Sequence, residues 1–395
     1  MKIAPESRQV GQPKADREAL PKRLRILLVL RYYRRRLHEG VAAYCREHRW
    51  VLDSLDHSPD LSYANQWDGI IMLHQSIPDL QGLVRKHTPL VTLAMDEKGG
   101  IFTTAVLQDQ EAIGVLGARH LLERGFRRLV FCGYRDAISH TRFRGMRAEA
   151  QRHGAAYREV SVPHRAPATK GPDFMLRWLG AHLLREQKPF AVLAAHDLLG
   201  VAVEDACRMA GLKMPQEVAV LGVDNDEIIC DCAYVPLSSV DNNLFQHGYE
   251  AAKLLGRLMR GEKPPDRPIL IPPRRVVVRT STDTLAAEDP QLAAILLEIH
   301  EQFHACEFSV KHLCDRFGLS RRALGELFAR ENLKPPGHVI HDLRLRKACL
   351  QLGETTLRIK DIAATCGFSS VRSFCRFFRQ RQGTSPEAWR KQTRA

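Results

Sequence analysis

Two hydrophobic rhythms divide the chain. Up to about residue 285, short apolar runs alternate with amphipathic stretches of helical spacing. The runs LRILLVL (24–30), WDGIIML (67–73), PLVTLAM (89–95), RLVFCG (128–133), AVLAA (191–195) and VAVLGV (218–223) carry few polar residues. Strands covered on both faces read that way. Between them, RRRLHEGVAAYCREHRW (34–50) sets Leu37, Val41 and Tyr44 on one face, and Gln110–Arg124 and Arg142–His153 read as further helices. Strand–helix alternation predicts parallel sheets with right-handed crossovers. STDTLAAEDP (281–290) reads as a linker, and beyond it only helical spacing remains.

Near the C-terminus, Ile359, Ile362 and Ala363 recur at helical spacing, as do Phe374, Phe377 and Phe378. Gly367 between them can take the positive φ of a sharp helix–helix turn. Ser369 or Ser370 then caps the second helix, which buries its aromatic face and turns Arg372, Arg376 and Arg379 outward. Gly383 ends that helix, and Ser385-Pro386 opens another. An amphipathic helix with a cationic face, set after a tight turn, suits the DNA major groove.

The spacing IxxIAxxCGFxSxxxFxRxFxxxxGxTPxxWR over Ile359–Arg390 (with Thr384-Ser385-Pro386 at its T-P end) resembles the signature of the AraC family of bacterial transcription regulators. That resemblance implies two helix-turn-helix units joined by a long helix. The first falls at Ser309–Arg330, with Leu313, Phe317, Leu324, Leu327 and Phe328 as core, Gly318 in the turn and Ser320 as cap. Leu343–Leu352 would be the connecting helix. The resemblance assigns base reading to Arg321, Arg322 and Glu326 in the first unit and to Arg372 and Arg376 in the second, with Arg379 on the same face. Gly325 faces the groove in this alignment but has no side chain to read with.

Charge sharpens the picture. Residues 290–395 carry 18 Lys/Arg against 10 Asp/Glu and residues 1–36 carry 11 against 3, so +8 at each end leaves −2 for the middle of a chain of net charge +14. Phosphate contact is expected at the ends. Residues 1–22 read as a disordered basic tail. Ten cysteines without a CxxC pair, several in apolar settings such as Cys132 and Cys207, suggest reduced thiols and a cytoplasmic location. The first 23 residues hold no apolar run of the kind a signal peptide needs, and no membrane span is expected.

On parallel sheets, ligands bind at the carboxyl ends of strands. The polar residues there are Arg31, Asp96, Asp109, Arg135, His196-Asp197 and Asp224-Asn225, any of which could equally be turn or cap chemistry. Residues 24–285 resemble the effector domain of LacI-type repressors, which shares the two-lobed fold of periplasmic sugar-binding proteins. The matching pieces are Asp109, Arg142-Phe-Arg-Gly145, AAHD (194–197), GVDND (222–226) and LSSVDNNLFQHGYEAAKLLGRL (237–258). The resemblance places Arg142, Asp224 and His196 in a sugar cleft, with Asn225, Asp197, Asp109 and Asn242 beside them. His196 departs from the more usual Asn or Thr. A sugar hydroxyl both donates and accepts, so planar Arg, Asp and Asn groups can grip neighbouring hydroxyls in pairs.

The expected fold is therefore a two-lobed α/β domain with parallel sheets of the periplasmic-binding-protein type (23–285), then an all-α domain (286–395) with helix-turn-helix units at about 308–330 and 357–381. The order is similar to that of xylose-operon regulators. It implies an activator that binds double-stranded promoter DNA, a small sugar such as xylose or another pentose, and RNA polymerase, and that forms a homodimer. No cofactor, metal or catalytic group is implied. Two alternatives stand beside it: a non-regulatory sugar-binding protein, and a zinc enzyme through His300-Glu301-x-x-His304, which matches HExxH. GRLMRGEK (256–263) has P-loop glycine spacing but Glu262 at the Lys position.

Overall fold

The computed structural model describes residues 23–30, 33–56, 67–73, 88–94, 104–163, 171, 173–287, 289–331 and 333–394. The basic tail 1–22, Arg31 and Asp96 lie outside the described residues. The chain forms two compact units. The described part of one comprises residues 23–94, 104–107 and 245–269, and that of the other 108–244 and 270–394.

In the first unit, β1 (Arg25–Leu30), β2 (Val51–Asp56), β3 (Gly69–Met72) and β4 (Leu90–Thr92) form a parallel sheet in the order β2-β1-β3-β4. Leu27, Val29, Ile70 and Met72 form the core of this sheet. The helix α1 (Arg35–Glu47) lies against the helix that begins near residue 245, and a Cβ on Gly40 would strike the Phe245 carbonyl.

β5 (Val106–Gln108) runs from the first unit to the start of the second, which continues with α2 (Gln110–Leu122), β6 (Arg128–Gly133), α3 (Ala137–Arg152), β7 (Ala156–Ser161), α4 (Phe174–Leu183), β8 (Phe190–Ala194), α5 (Asp197–Met209), β9 (Val218–Val223), α6 (Glu227–Asp231) and β10 (Ser238–Asp241). There follow α7 (Leu244–Met259), most of which belongs to the first unit, β11 (Ile269–Ile271) and β12 (Arg275–Val277). The sheet order is β12-β10-β9-β8-β6-β7. Every pairing in it is parallel except that of β12, which lies antiparallel on the edge beside β10. The continuous apolar runs have the expected consequence: β8 and β9 are buried at every position. Helices α2 and α3 cross closely, because a Cβ on Gly114 would strike the Arg142 carbonyl and one on Gly145 the Glu111 carbonyl.

The C-terminal helices are α8 (Pro290–Gln302), α9 (Val310–Phe317), α10 (Arg321–Arg330), α11 (Pro336–Glu354), α12 (Ile359–Thr365), α13 (Val371–Gln382) and α14 (Pro386–Arg394). They enclose two cores. One gathers Leu292, Ile295, Ile299, Leu313, Leu324 and Phe328; the other gathers Ile362, Ala363, Cys366, Phe374 and Phe378. The connecting helix α11 is longer than its sequence expectation. It starts at Pro336, where a missing N–H costs nothing, and it supplies Val339, Ile340 and Leu343 to the first core and Ala348 and Leu352 to the second.

Candidate ligand site and nucleic-acid interface

Four adjacent strands of the six-stranded sheet end side by side. After β10 comes Asn242, after β9 Asp224-Asn225, after β8 His196 and after β6 Tyr134. Asp224 and Asn225 take φ of 109° and 52°, a left-handed backbone in two residues that carry side chains. Asx residues reach this region more readily than most, yet the arrangement still stores strain. Asn242, fully buried, donates from Nδ2 to Asp224 Oδ1 at 2.7 Å. That contact aims the carboxylate.

The remaining sequence candidates divide by burial. Asp224, Asn225 and His196 are half-buried, whereas Arg142, Asp197 and Asn242 are 5%, 2% and 0% exposed. His196 caps α5, its Nδ1 accepting from Leu199 N at 3.1 Å, and its ring stacks near Tyr134 with centroids 5.7 Å apart. Arg142 donates from Nε to Gln110 at 2.7 Å and from Nη1 to the Ala195 carbonyl, so it ties α2 and α3 to the end of β8. Asp109 caps α2 by accepting from Ala112 N at 2.9 Å. It also lines a surface groove of about 470 Å³ with Arg119 and Arg274. Arg135 is exposed, and Tyr134 beside it is the residue the sequence reading missed. Its only sequence signal is an aromatic directly after a strand-ending glycine; the strand order is needed to bring it to His196. Burial, with the Asp224 charge beside it, pushes the Asp197 carboxyl up to about 7.

A second network leads from this loop to the helical domain. Arg279 Nη1 donates to Asn225 Oδ1 at 3.0 Å and to the Leu237 carbonyl at 3.1 Å. Its backbone N–H donates to Ser238 Oγ, which donates in turn to the Arg279 carbonyl. A short 3-10 turn, Thr280–Thr282, follows at once. Thr282 Oγ1 donates to Ser238 Oγ at 2.8 Å and meets His120 Nε2 at 2.9 Å. Arg124 approaches His120 Nδ1 at 3.0 Å, and a guanidinium can only donate. His120 Nδ1 is therefore the acceptor, and Nε2 carries the proton toward Thr282. Burial first, then the charges of Arg124 and Arg346, hold this imidazole well below its ordinary range, so it stays neutral. Asp283 pairs with Arg346 of α11 at 3.1 Å, and Ala286 N donates to the Arg124 carbonyl at 2.7 Å.

The helical domain has the turn geometry its sequence requires. Gly318 (φ 64°) and Gly367 (φ 80°) make the two turns, and Ser320 and Ser370 cap the helices that follow, accepting from Ala323 N and Ser373 N. Arg321, Arg322, Glu326, Arg372, Arg376 and Arg379 are all exposed. Arg322 and Glu326 pair with each other at 2.9 Å, one turn apart. A Cβ at Gly325 would meet nothing within 4 Å. Arg344 of α11 holds the two units together. It donates to the carbonyls of Phe303, Ala305 and Phe308, and lies over the Phe368 ring beside Gly367. Helix α8 ends at Gln302, so His304 falls past the helix end and the HExxH pair does not lie within one helix. No helix among the described residues is long and apolar enough to cross a membrane.

Residues 118–282 match the periplasmic binding protein-like domain family, and residues 313–392 match the helix-turn-helix domain family. The xylose operon regulatory protein of Escherichia coli (strain K12) is 29% identical over 395 residues, covering 93% of this chain and 97% of that protein. Its counterpart in Haemophilus influenzae is 28% identical, covering 91% and 95%. The solved structure of the xylose-binding transcription activator xylR superposes with a TM-score of 0.65 at 26% identity, covering 95% of this chain and all of that one. A cellobiose complex of the transcriptional regulator CelR shares the fold of part of the chain, with a TM-score of 0.53, 22% identity and 66% of this chain covered.

Proposed function

We infer, for a chain that joins a periplasmic-binding-protein-like domain to a helix-turn-helix domain and is homologous to the xylose operon regulatory proteins, that it is a sugar-responsive DNA-binding transcription regulator. Its effector is a pentose, xylose foremost, and it activates genes for that sugar's use from the cytoplasm, as a homodimer that engages RNA polymerase at promoter DNA. Asp224, Asn225 and His196 grip the hydroxyls, with the Tyr134 ring as an apolar wall beside them. Asn242 holds the Asp224 carboxylate, and Arg142 ties α2 and α3 to the end of β8 beside them. Arg321, Arg322, Glu326, Arg372 and Arg376 read bases, and Arg379 flanks them.

The observation that carries this reading is Arg279. Its side chain touches the sugar loop at Asn225, and four residues later Asp283 pairs with Arg346 of the helical domain. Sugar that repositions Asn225 thereby biases the segment on which the DNA-reading helices hang, a shift between two populations. A sugar-binding protein without a regulatory role would have no use for two capped helix-turn-helix units or for this link.

Calorimetry against a panel of pentoses and hexoses, with promoter binding measured in parallel, tests the reading. We expect one pentose to bind and to change promoter affinity at least tenfold. A protein that takes up no sugar, or whose sugar leaves promoter affinity unchanged, would refute it.

A further inference from the structure

Asp197 opens α5 and is almost wholly enclosed. Its Oδ1 accepts from Ser239 Oγ at 2.6 Å, and its Oδ2 accepts from the Asp226 backbone N–H at 2.8 Å. Ser239 Oγ in turn accepts from the Asn225 backbone N–H at 3.0 Å. One carboxyl group therefore fixes two successive amides of the loop, one directly and one through a hydroxyl. Those amides immediately follow Asp224, and Asp224 and Asn225 are the two residues in the left-handed region. Backbone of that kind persists only where its surroundings over-determine it. Neighbouring residues complete the arrangement. A Cβ at Gly222 would strike Asp197 Oδ1, so the strand must be bare where the carboxyl closes on it.

We propose that Asp197, acting with Ser239, is the positioning residue of the sugar site: it does not touch the sugar but holds residues 224–226 in the strained form that presents Asp224. The proposal rests on the sugar-sensor reading for its functional consequence and on the loop geometry for its mechanism. Removing Asp197 takes the acceptor from Asp226 N–H and the anchor from Ser239, whereas removing the Ser239 hydroxyl takes only the acceptor from Asn225 N–H, so the two substitutions act on adjoining amides of one linked network. Asp197→Asn keeps an acceptor for Asp226 N–H and can donate to Ser239 Oγ, and it should restore part of what alanine loses.

The test uses full-length protein with D-xylose as probe, in four forms: wild type, Asp197→Ala, Ser239→Ala and the double variant, with Asp197→Asn as the rescue. Two quantities are read on each: xylose affinity by calorimetry, and amide exchange across residues 218–230 without sugar. We expect Asp197→Ala to speed exchange at Asn225 and Asp226 at least tenfold, Ser239→Ala to do so at Asn225, and each to weaken xylose at least tenfold. The double variant should be no worse than the worse single, and Asn should fall between Ala and wild type. Unchanged exchange at Asn225 overturns the clamp even if Asp197→Ala proves too unstable to assay, because Ser239→Ala removes one hydroxyl only. Faster exchange with unchanged xylose affinity overturns the positioning role. Wild-type protein that binds no sugar sinks the sensor reading instead, and exchange alone then decides the clamp.

Discussion

Arg279 donates a 3.0 Å hydrogen bond to the side-chain oxygen of Asn225, while its own backbone is held at both ends by the hydroxyl of Ser238. One residue thus senses the loop after β9 and anchors the start of the segment that enters the helical domain. Coupling between two sites is a free energy shared reciprocally by both ligands. Replacing Arg279 with Gln should leave promoter affinity without sugar nearly intact, yet reduce the sugar-induced change to less than a third. Fluorescence anisotropy on promoter DNA with and without D-xylose reads this directly. Lys should not substitute, because a point charge cannot serve Asn225, Asp231 and Leu237 together. An undiminished sugar response in Arg279→Gln would place the link elsewhere.

Asp224→Asn keeps a residue type that tolerates positive φ, so the fold should survive. It sets an amide against the Asn242 amide and removes charge from the sugar hydroxyls. A hydrogen bond to a charged group contributes about 1.5–3 kcal/mol. We expect xylose affinity to fall roughly ten- to a hundredfold, with DNA binding retained. A variant that melts lower but binds xylose as tightly as wild type would make Asp224 a turn residue only.

Arg372 and Arg376 lie one turn apart on the exposed face of α13. A base-reading arginine replaced by Ala should lose about 1–3 kcal/mol on the cognate promoter and relax preference at one base pair. A phosphate contact would instead weaken all sequences alike and flatten the salt dependence. Binding to a set of single-base promoter variants at two salt concentrations separates the outcomes, and uniform loss for both residues would show the register to be wrong.

Arg344→Ala should be severe. It strips a donor from three buried or half-buried carbonyls at once, of which Ala305 keeps the Phe308 N–H as another donor. We expect a loss of roughly 3 kcal/mol or more, visible as early melting of residues 290–394 in proteolysis. Stability within experimental error of wild type would mean that water replaces the guanidinium.

Glu204 is fully buried, accepts from Val235 N, and has its carboxyl pushed by burial from 4.5 up to about 7. A raised acid value means the folded form keeps a proton that the unfolded chain releases. The stabilising contribution is complete below about pH 4.5 and is lost as pH rises through 7. Asp197 titrates in the same direction. Melting temperature should therefore fall between pH 5 and pH 8, and Glu204→Gln should flatten part of that fall, a tenfold change in proton affinity being worth about 1.4 kcal/mol. A Gln variant with the wild-type pH profile would show that Glu204 ionises freely.

The helical domain was legible because its signals are local. Glycines that must take positive φ at 318, 367 and 383, and serines that cap at 309, 320, 370 and 385, act within a few residues of themselves. The strand runs were legible for the same reason. The division of labour at the strand ends was not. His196 and Asp197 are neighbours in sequence, but one side chain faces Tyr134 and the other turns inward to Ser239, 42 positions away. Only the order of strands decides that, and pattern along the chain does not contain it. Arg344 escaped notice for a related reason: it reads as one more cation in LRLRK until the carbonyls of 303, 305 and 308 are brought to it. His304 likewise fits a metal motif in the string, but α8 ends at Gln302, before it.

Helix α11 supplies side chains to both helical cores, and this makes it a ruler. The spacing and phase of the two recognition helices are set by the number of residues between Leu343 and Ala348, not by the DNA. One extra residue there would swing one unit about 100° around the helix axis and carry it about 1.5 Å along, whereas one extra base pair moves its target about 3.4 Å. Helix α11 is continuous from Leu343 to Ala348, so no linker between these residues can bend to absorb either error. If α10 and α13 both read bases, the promoter should hold its two half-elements at a fixed separation, and an insertion of a single base pair between them should abolish recognition even when every contacted base is kept.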